Sequence, residues 1–474
     1  MSKVALIGLD GISWKTILSY DYDFKNILRL TAGGLRGICW CIPPYTPPSW
    51  ISISTGVGAR KHGVLGFSVP CWRRKHYNPL SSHDIRFPRL SEMLALKGLR
   101  SVIINHPFSH PVSGWYTRRQ ILVSDDISPK KFIYPKNFDK YLRYFQKGLE
   151  FKPNRQSDKW VSVLTENILS KIEGTWKLVD AVNPDFLWVM FKEPDTVMHY
   201  LQFVAAGLYN EQAANLFSTI DEFVEEIERR FDYVLIVSDH GFDVYIKRIN
   251  VFGVLSKHGF DPPSSGMASI FSKLLSTSLS GIVTWSLLKS LHGLRAFYTF
   301  REFFRRFRAQ AVDEGGRFNE ILTDEIDGDD AFVIYFRSEE TRTRALKVLA
   351  KYVGKLLEHI EPLSVDRIIA LLLVPRKGLH FMNDFQLRGS TILKFAASRH
   401  SPAGVFILKG PGVKPGLKNI KNIDVAPTVL SLFGLPLAKH FDGQSIIDRL
   451  PSIEDYIVKW RLLRKISQLK SFSQ

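Results

Sequence analysis

Seven residues of this chain carry side chains suited to holding metal ions: Asp10, Thr46, Asp195, His199, Asp239, His240 and His400. Asp239-His240 offers a carboxylate and an imidazole on one turn, able to reach one ion from two sides. Asp195 and His199 are four residues apart, one helical turn, so both can face the same ion. Asp10 and Thr46 add two oxygens and His400 adds a nitrogen. Zinc takes such mixed donors in sets of about four, so these side chains describe two sites. Two ions roughly 4 Å apart clamp the attacking and leaving oxygens of an in-line displacement at phosphorus, and one ion lowers the pKa of a hydroxyl or water held against it. On that logic Thr46 is the nucleophile, and water at the other ion hydrolyses the phosphothreonine.

The stretch Pro43-Pro44-Tyr45-Thr46-Pro47-Pro48-Ser49-Trp50 reads as a helix start, with Thr46 at the N-cap and proline in the first turn, running toward Thr55-Gly56. A helix N-terminus favours anions. The other donors need elements that end beside it. Val4 to Leu9 is a continuous apolar run ending in Asp10-Gly11, as expected of a buried parallel strand. Leu35 to Ile42 leads into the Thr46 segment, Ser101 to Ile104 into Asn105-His106-Pro107, Asp185 to Phe191 into Glu193-Pro194-Asp195, and Tyr233 to Val237 into Ser238-Asp239-His240-Gly241. Helices lie between: one near Phe24 to Gly33, and one with Ala213, Leu216, Phe217, Ile220, Phe223, Val224 and Ile227 on a single face. Alternating strands and helices predict an α/β fold with a doubly wound, mostly parallel central sheet, whose ligands bind beyond the strands' carboxyl ends. Asp10, Asp195, Asp239 and His240 obey that rule.

The alternation stops between residues 250 and 386, which read as an inserted cap. The core is expected to comprise residues 1–249 and 387–450, resuming at Ala397 to Pro402 with a strand over Gly404 to Leu408, a Gly410-Pro411-Gly412 turn and a helix opened by Asp424 to Thr428. Residues 451–474 read as a basic amphipathic helix, with Ser452 and Asp455 in capping-box spacing and Ile453, Ile457, Trp460, Leu463 and Ile466 as its stripe. Within the cap, Leu346, Leu349, Val353, Leu356 and Ile360 predict one long helix. Phe300, Phe303, Phe304 and Phe307 recur at helical spacing beside Arg301, Arg305 and Arg308, either as a packed cap helix or as one lying on an anionic membrane surface. The acidic run Asp324 to Asp330 lacks the spacing of a calcium loop.

The chain has 474 residues, 45% hydrophobic and 23% charged, and three cysteines that match neither a disulfide framework nor a zinc spacing. The short N-terminal apolar run is not a signal peptide, so a cytoplasmic protein is expected. The net charge of +18 attracts phosphate-rich molecules or anionic membrane surfaces, but no nucleic-acid motif is present, and the oligomeric state is not written in the sequence.

Taken singly, each donor has an ordinary explanation as a cap, a surface residue or a satisfied core histidine. Their order is what is uncommon. The segments Gly8-Leu9-Asp10-Gly11, Pro43 to Trp50 with Thr55-Gly56 and His62-Gly63, Glu193 to His199, Val237 to Phe242, and His400 to Pro415 with Asp424 to Thr428 together resemble the type I phosphodiesterase/nucleotide pyrophosphatase family of the alkaline phosphatase superfamily. The resemblance implies an alkaline phosphatase-like core and two divalent metal ions, zinc with manganese as the alternative. Asp10, Thr46, Asp239 and His240 would hold one, and Asp195, His199 and His400 the other. It also implies Thr46 as covalent nucleophile, acting on a small phosphodiester substrate of nucleotide or lipid-linked type.

There are departures. Where the family's pyrophosphatases carry an asparagine that donates to a phosphate oxygen, this chain has Phe67, leaving Asn105 as the substitute donor. Thr46 is followed by Pro47 rather than by the arginine with which alkaline phosphatase grips a monoester, which favours diesters. Cys41-Ile42-Pro43-Pro44-Tyr45 ends in tyrosine where sulfatases of the superfamily need arginine, which excludes a formylglycine sulfatase. The remaining alternatives are a phosphomutase, phosphotransferase or phosphomonoesterase of the same superfamily, or a non-catalytic module binding phosphorylated ligands.

Overall fold

A computed structural model describes residues 2–73, 76–112, 119–128, 130–145, 158–260, 321–322, 332–381, 391–447 and 452–471. The basic aromatic stretch 300–308, the acidic run 324–330, and Arg74 and Lys75 lie outside them. The chain forms two units, one of residues 1–67, 80–244 and 398–474, the other of residues 68–79 and 245–397.

The first unit is built on the six strands expected from the apolar runs and on two not expected from them, Gln120–Val123 and Ile133–Tyr134. They are β1 (Val4–Leu9), β2 (Leu35–Trp40), β3 (Ser101–Ile104), β4 (Gln120–Val123), β5 (Ile133–Tyr134), β6 (Phe186–Phe191), β7 (Tyr233–Val237) and β8 (Ala403–Lys409). Their order across the sheet is β2-β8-β7-β1-β6-β3-β4-β5. The run from β7 to β4 is parallel, whereas β8 pairs antiparallel with both β2 and β7. That reversal explains His400. It lies near the end of the strand Ile392–Ser401, just before β8, and because β8 runs backward, the start of β8 lies at the same sheet edge as the ends of β1, β6 and β7.

Both faces of the sheet are covered, as continuous apolar strands require. Ala5, Ile7 and Leu9 of β1 pack with helices α1 (Lys25–Ala32), α4 (Trp160–Val182) and α6 (Glu211–Arg230). Val4 and Leu6 face the opposite layer, formed by α2 (Thr46–Thr55), α3 (Leu90–Leu96) and α7 (Val425–Leu432). The seven α6 residues expected on one face are all buried. The unit is therefore the doubly wound, mostly parallel α/β architecture.

Helix α2 is buried from Pro47 to Thr55, and its polar side chains find partners locally. Ser49 donates to the Pro43 carbonyl at 3.0 Å, Thr55 to the Ile51 carbonyl at 2.7 Å, and Ser52 bonds His62 Nε2 at 3.0 Å. Gly56, in the left-handed conformation, closes the helix onto the Ser52 carbonyl. Trp50 on this helix is fully buried and lies over Gly8 of β1, where a Cβ would stand 2.5 Å from the indole. Truncating such a tryptophan typically costs about 3–5 kcal/mol.

The second unit carries a four-stranded antiparallel sheet ordered Ile321–Leu322, Val333–Phe336, Ile368–Pro375, Leu357–Val365, with Ala345 and Leu349 of helix Glu339–Leu349 buried. This corrects the long helix expected through Ile360. The helix ends at Leu349, Gly354 turns the chain at φ +78°, and Leu357–Val365 pairs with Ile368–Pro375. At the other end, Ile453–Glu454 is a short strand and helix α8 spans Tyr456–Ser471. Asp455, not Ser452, accepts from the first turn through the Ile457 N–H, and Ile453 is exposed instead of joining the stripe.

Candidate metal centre

Thr46 is the first residue of α2 and Tyr45 is its N-cap, one position earlier than the sequence reading placed the cap. Pro47 then occupies the first turn, where a missing N–H costs nothing. Asp10 follows β1 and Asp239 follows β7, and both are buried. Helix α5 (Glu193–Tyr200) presents Asp195 and His199 one turn apart.

All seven donors converge. His240 Nε2 lies 3.4 Å from Asp10 Oδ1, 3.3 Å from Asp239 Oδ2 and 3.4 Å from Thr46 Oγ1. His400 Nε2 and His199 Nε2 are 2.9 Å apart, and Asp195 Oδ1 is 3.4 Å from the latter and 3.5 Å from the former. Ligands 2.0–2.1 Å from a tetrahedral zinc lie roughly 3.3–3.4 Å from one another, so both groups have the spacing of donors aimed at a common point. Asp195 also reaches the first group, its Oδ1 being 4.0 Å from His240 Nε2. Asp10, Asp195 and His240 form one set able to hold an ion, and Asp195, His199 and His400 form another.

The electrostatics suit a cation. Burial, followed by the charges of Asp239 and Asp195, pushes the Asp10 carboxyl well above its ordinary range. Asp239 is pushed up to about 8, by burial first and then by Asp195. Burial, aided by His400, holds His240 well below the usual imidazole value, so its ring is neutral. Burial would raise Asp195 as well, but His199 and His400 hold it below the usual carboxylate range. Asp10 Oδ1, Asp195 Oδ1 and Asp239 Oδ2 are buried without a hydrogen-bond donor. Buried, mutually repelling carboxylate oxygens beside neutral imidazole nitrogens are the chemistry of a cation site.

Supporting contacts set the orientations. Trp50 Nε1 donates to Asp10 Oδ2 at 3.4 Å, and the Gly11 N–H donates to Asp239 Oδ1 at 3.3 Å. His240 Nδ1 donates to the Gly241 carbonyl at 3.3 Å, which leaves Nε2 with its lone pair toward the cluster. Phe242 packs edge-on against His199 and His400, at 4.9 Å from each. Gly11, at φ +74°, leaves room for that ring, since a Cβ there would stand 2.8 Å from it. The sequence reading gave Trp50 and Phe242 no role. Both lie inside the quoted motif segments, but only the packing reveals what they hold.

Asn105 ends β3 in the left-handed conformation, and its Oδ1 accepts from Lys131 Nζ at 3.2 Å. Lys131 also pairs with Asp126, which Lys192 holds from the other side. Phe67 is half-buried and packs edge-on to Tyr45 at 5.5 Å. No helix among the described residues is long and apolar enough to cross a membrane.

The sequence profile described as type I phosphodiesterase / nucleotide pyrophosphatase matches residues 4–386. No curated protein matches the chain by sequence. Among solved structures, phosphonoacetate hydrolase from Sinorhizobium meliloti 1021 in complex with phosphonoformate is similar at a TM-score of 0.53 and 14% identity, covering 90% of this chain and 94% of that one. The alkaline phosphatase PafA is similar at a TM-score of 0.52 and 12% identity, covering 94% and 98%. These likenesses concern the fold, whereas the profile match spans most of the chain. With its alkaline phosphatase-like core and its cluster of metal-ligating side chains, the chain belongs to the type I phosphodiesterase/nucleotide pyrophosphatase family of hydrolases.

Proposed function

We propose that the protein hydrolyses phosphodiesters in two steps, with Thr46 as the nucleophile. The observation that carries this is the position of Thr46 Oγ1, at the N-terminus of a buried helix and 3.4 Å from His240 Nε2 within the donor cluster. Asp10, Thr46, Asp239 and His240 would hold one divalent cation, and Asp195, His199 and His400 the other, zinc or manganese by donor type. Such cations supply Lewis acidity that ionises a hydroxyl and offsets charge on phosphoryl oxygens.

The chain's own groups do the rest. Thr46 Oγ1 attacks phosphorus, the bond to the leaving oxygen breaks, and that oxygen departs as an alcohol once protonated. Water then attacks the phosphothreonine, releasing the monoester and restoring the hydroxyl. The dipole of α2 favours an anion beside Thr46, although Pro47 and Pro48 carry no N–H and the Ser49 N–H is taken by the Tyr45 carbonyl, which leaves the Thr46 N–H as the amide in the first turn able to donate. Asn105 and Phe67 flank the substrate in this reading, Asn105 through its bond with Lys131 and Phe67 through ring contact rather than a donor. The net charge of +18 draws phosphate esters toward the protein and would equally hold it at an anionic lipid surface.

The test is hydrolysis of bis(p-nitrophenyl) phosphate against p-nitrophenyl phosphate, with zinc or manganese added back after chelation. A metal-dependent preference of about tenfold or more for the diester is expected. Preference for the monoester would replace the reading with a phosphatase or phosphomutase, and two bound cations without turnover would point to a binding module.

A further inference from the structure

Helix α8 is fastened to the first unit by one face. Tyr456 and Trp460 are buried, and the Tyr456 hydroxyl donates to the Pro436 carbonyl at 3.0 Å. One turn further, the Arg464 guanidinium lies over the Trp460 ring at 5.0 Å. It donates to the carbonyls of Ile85 at 2.8 Å and of Ser82 and His83 at 3.1 Å. Residues four apart share a helix face, so these three anchors turn the opposite face of α8 outward.

That outward face is apolar at its centre and basic at both margins. Val458 and Leu462, also four apart, are 68% and 58% exposed, on the side of the helix opposite Trp460. Arg461 and Lys465 flank them on one side and Lys459 on the other, and all three are exposed. From Tyr456 to Ser471 the sequence holds five bases and no acid. Scattered single apolar residues on a surface are ordinary. A pair one turn apart, framed by bases on both sides, is the pattern of a helix lying in the plane of an anionic lipid surface, where long basic side chains reach up to the headgroups.

We propose that the outward face of α8 docks the protein on an anionic lipid surface, with Val458 and Leu462 entering the headgroup layer while Lys459, Arg461 and Lys465 meet lipid phosphates. Charge selects this occupant. A second copy of the chain would bring the same bases, and a net charge of +18 repels its own kind. A nucleic acid would satisfy the bases but leave the valine and leucine with nothing apolar to cover them. A lipid surface satisfies both. The inference is independent of the reading of Thr46, because none of these residues belongs to the metal centre.

The experiment mixes the full chain with vesicles of phosphatidylcholine, alone or with phosphatidylglycerol added, and reads bound protein by co-sedimentation. Binding is expected with the anionic vesicles and not with the neutral ones. The triple variant Lys459→Gln, Arg461→Gln, Lys465→Gln should bind about a hundredfold more weakly, near fivefold per base. The pair Val458→Ser, Leu462→Ser should lose about tenfold or more. Removing the same charge from exposed positions of the second unit, with Lys347→Gln, Lys351→Gln and Lys355→Gln, should change binding little. Thermal melts check that every variant folds. Equal binding to neutral vesicles, equal loss in the second-unit variant, or full binding by the serine pair overturns the docking face. A dimer in sedimentation velocity that the serine pair dissolves, with vesicles left unbound, would give the face to a second copy instead.

Discussion

The two halves of the metal centre are built from similar donors but live in different surroundings. Asp10, Asp239 and His240 are buried at the ends of β1 and β7, with exposures of 2% or less. In the other half the Asp195 and His199 side chains are 21% and 28% exposed, on a helix at the surface of the cluster. In the buried half, carboxyls are driven up by desolvation and by one another. In the open half, Asp195 is held down by its own histidines. The buried half gathers carboxyls whose charged form a cation would stabilise. The open half is internally compensated, with Asp195 and His199 partly exposed and His400 buried beside them. Similar donors thus meet different electrostatics in the two halves.

The sharpest way to break this comparison is Thr46→Ala. It should lower kcat about a thousandfold or more while zinc content, read by elemental analysis, stays at the unaltered level. Undiminished turnover would remove the buried half from the chemistry. Next, Asp10→Asn and His199→Asn should separate the halves. Each should weaken one cation about a hundredfold, but competitive chelation should find that Asp10→Asn affects the tightly held ion and His199→Asn the loosely held one. Equal losses from both would erase the distinction.

The smallest effect concerns the brace behind the buried half. His62 Nδ1 accepts from the Val64 N–H at 3.0 Å, so Nε2 carries the proton and donates to Ser52 of α2. Burial holds this imidazole down at about 3 against an ordinary value near 6.5. Unfolded chain therefore binds a proton that folded chain refuses, and stability present above pH 6.5 is lost as pH falls toward 3. The slope per such group is up to about 1.4 kcal/mol per pH unit. Denaturant melts between pH 7 and 4 should show a shallower loss for His62→Gln than for the unaltered protein, which retains buried His106 and His440 titrating in the same sense.

Much of this is legible in the sequence alone. A parallel strand buried on both faces announces itself as an apolar run, and its carboxyl end is the place to look for Asp10, Asp195 and Asp239. His400 obeys a different logic. It sits at the end of one strand, Ile392–Ser401, just before β8, and nothing local says that β8 runs antiparallel. The helix expected through Ile360 fails because apolar residues three to four apart also suit a helix that stops and a strand that follows. Gly354 with its positive φ decides between them. Trp50 and Phe242 are invisible as supports because their partners lie tens to hundreds of residues away, and only packing brings an indole to Asp10 or a phenyl ring to two histidines.

Asp195 belongs to both halves, its Oδ1 within 4.0 Å of nitrogens on either side. A carboxylate shared in this way makes the two ions thermodynamic correspondents: whatever the first ion does to the affinity for the second, the second must do to the first. With both groups loaded, metal binding would follow a single coupled isotherm rather than two separate ones, and the dependence on scarce metal would be set by the pair.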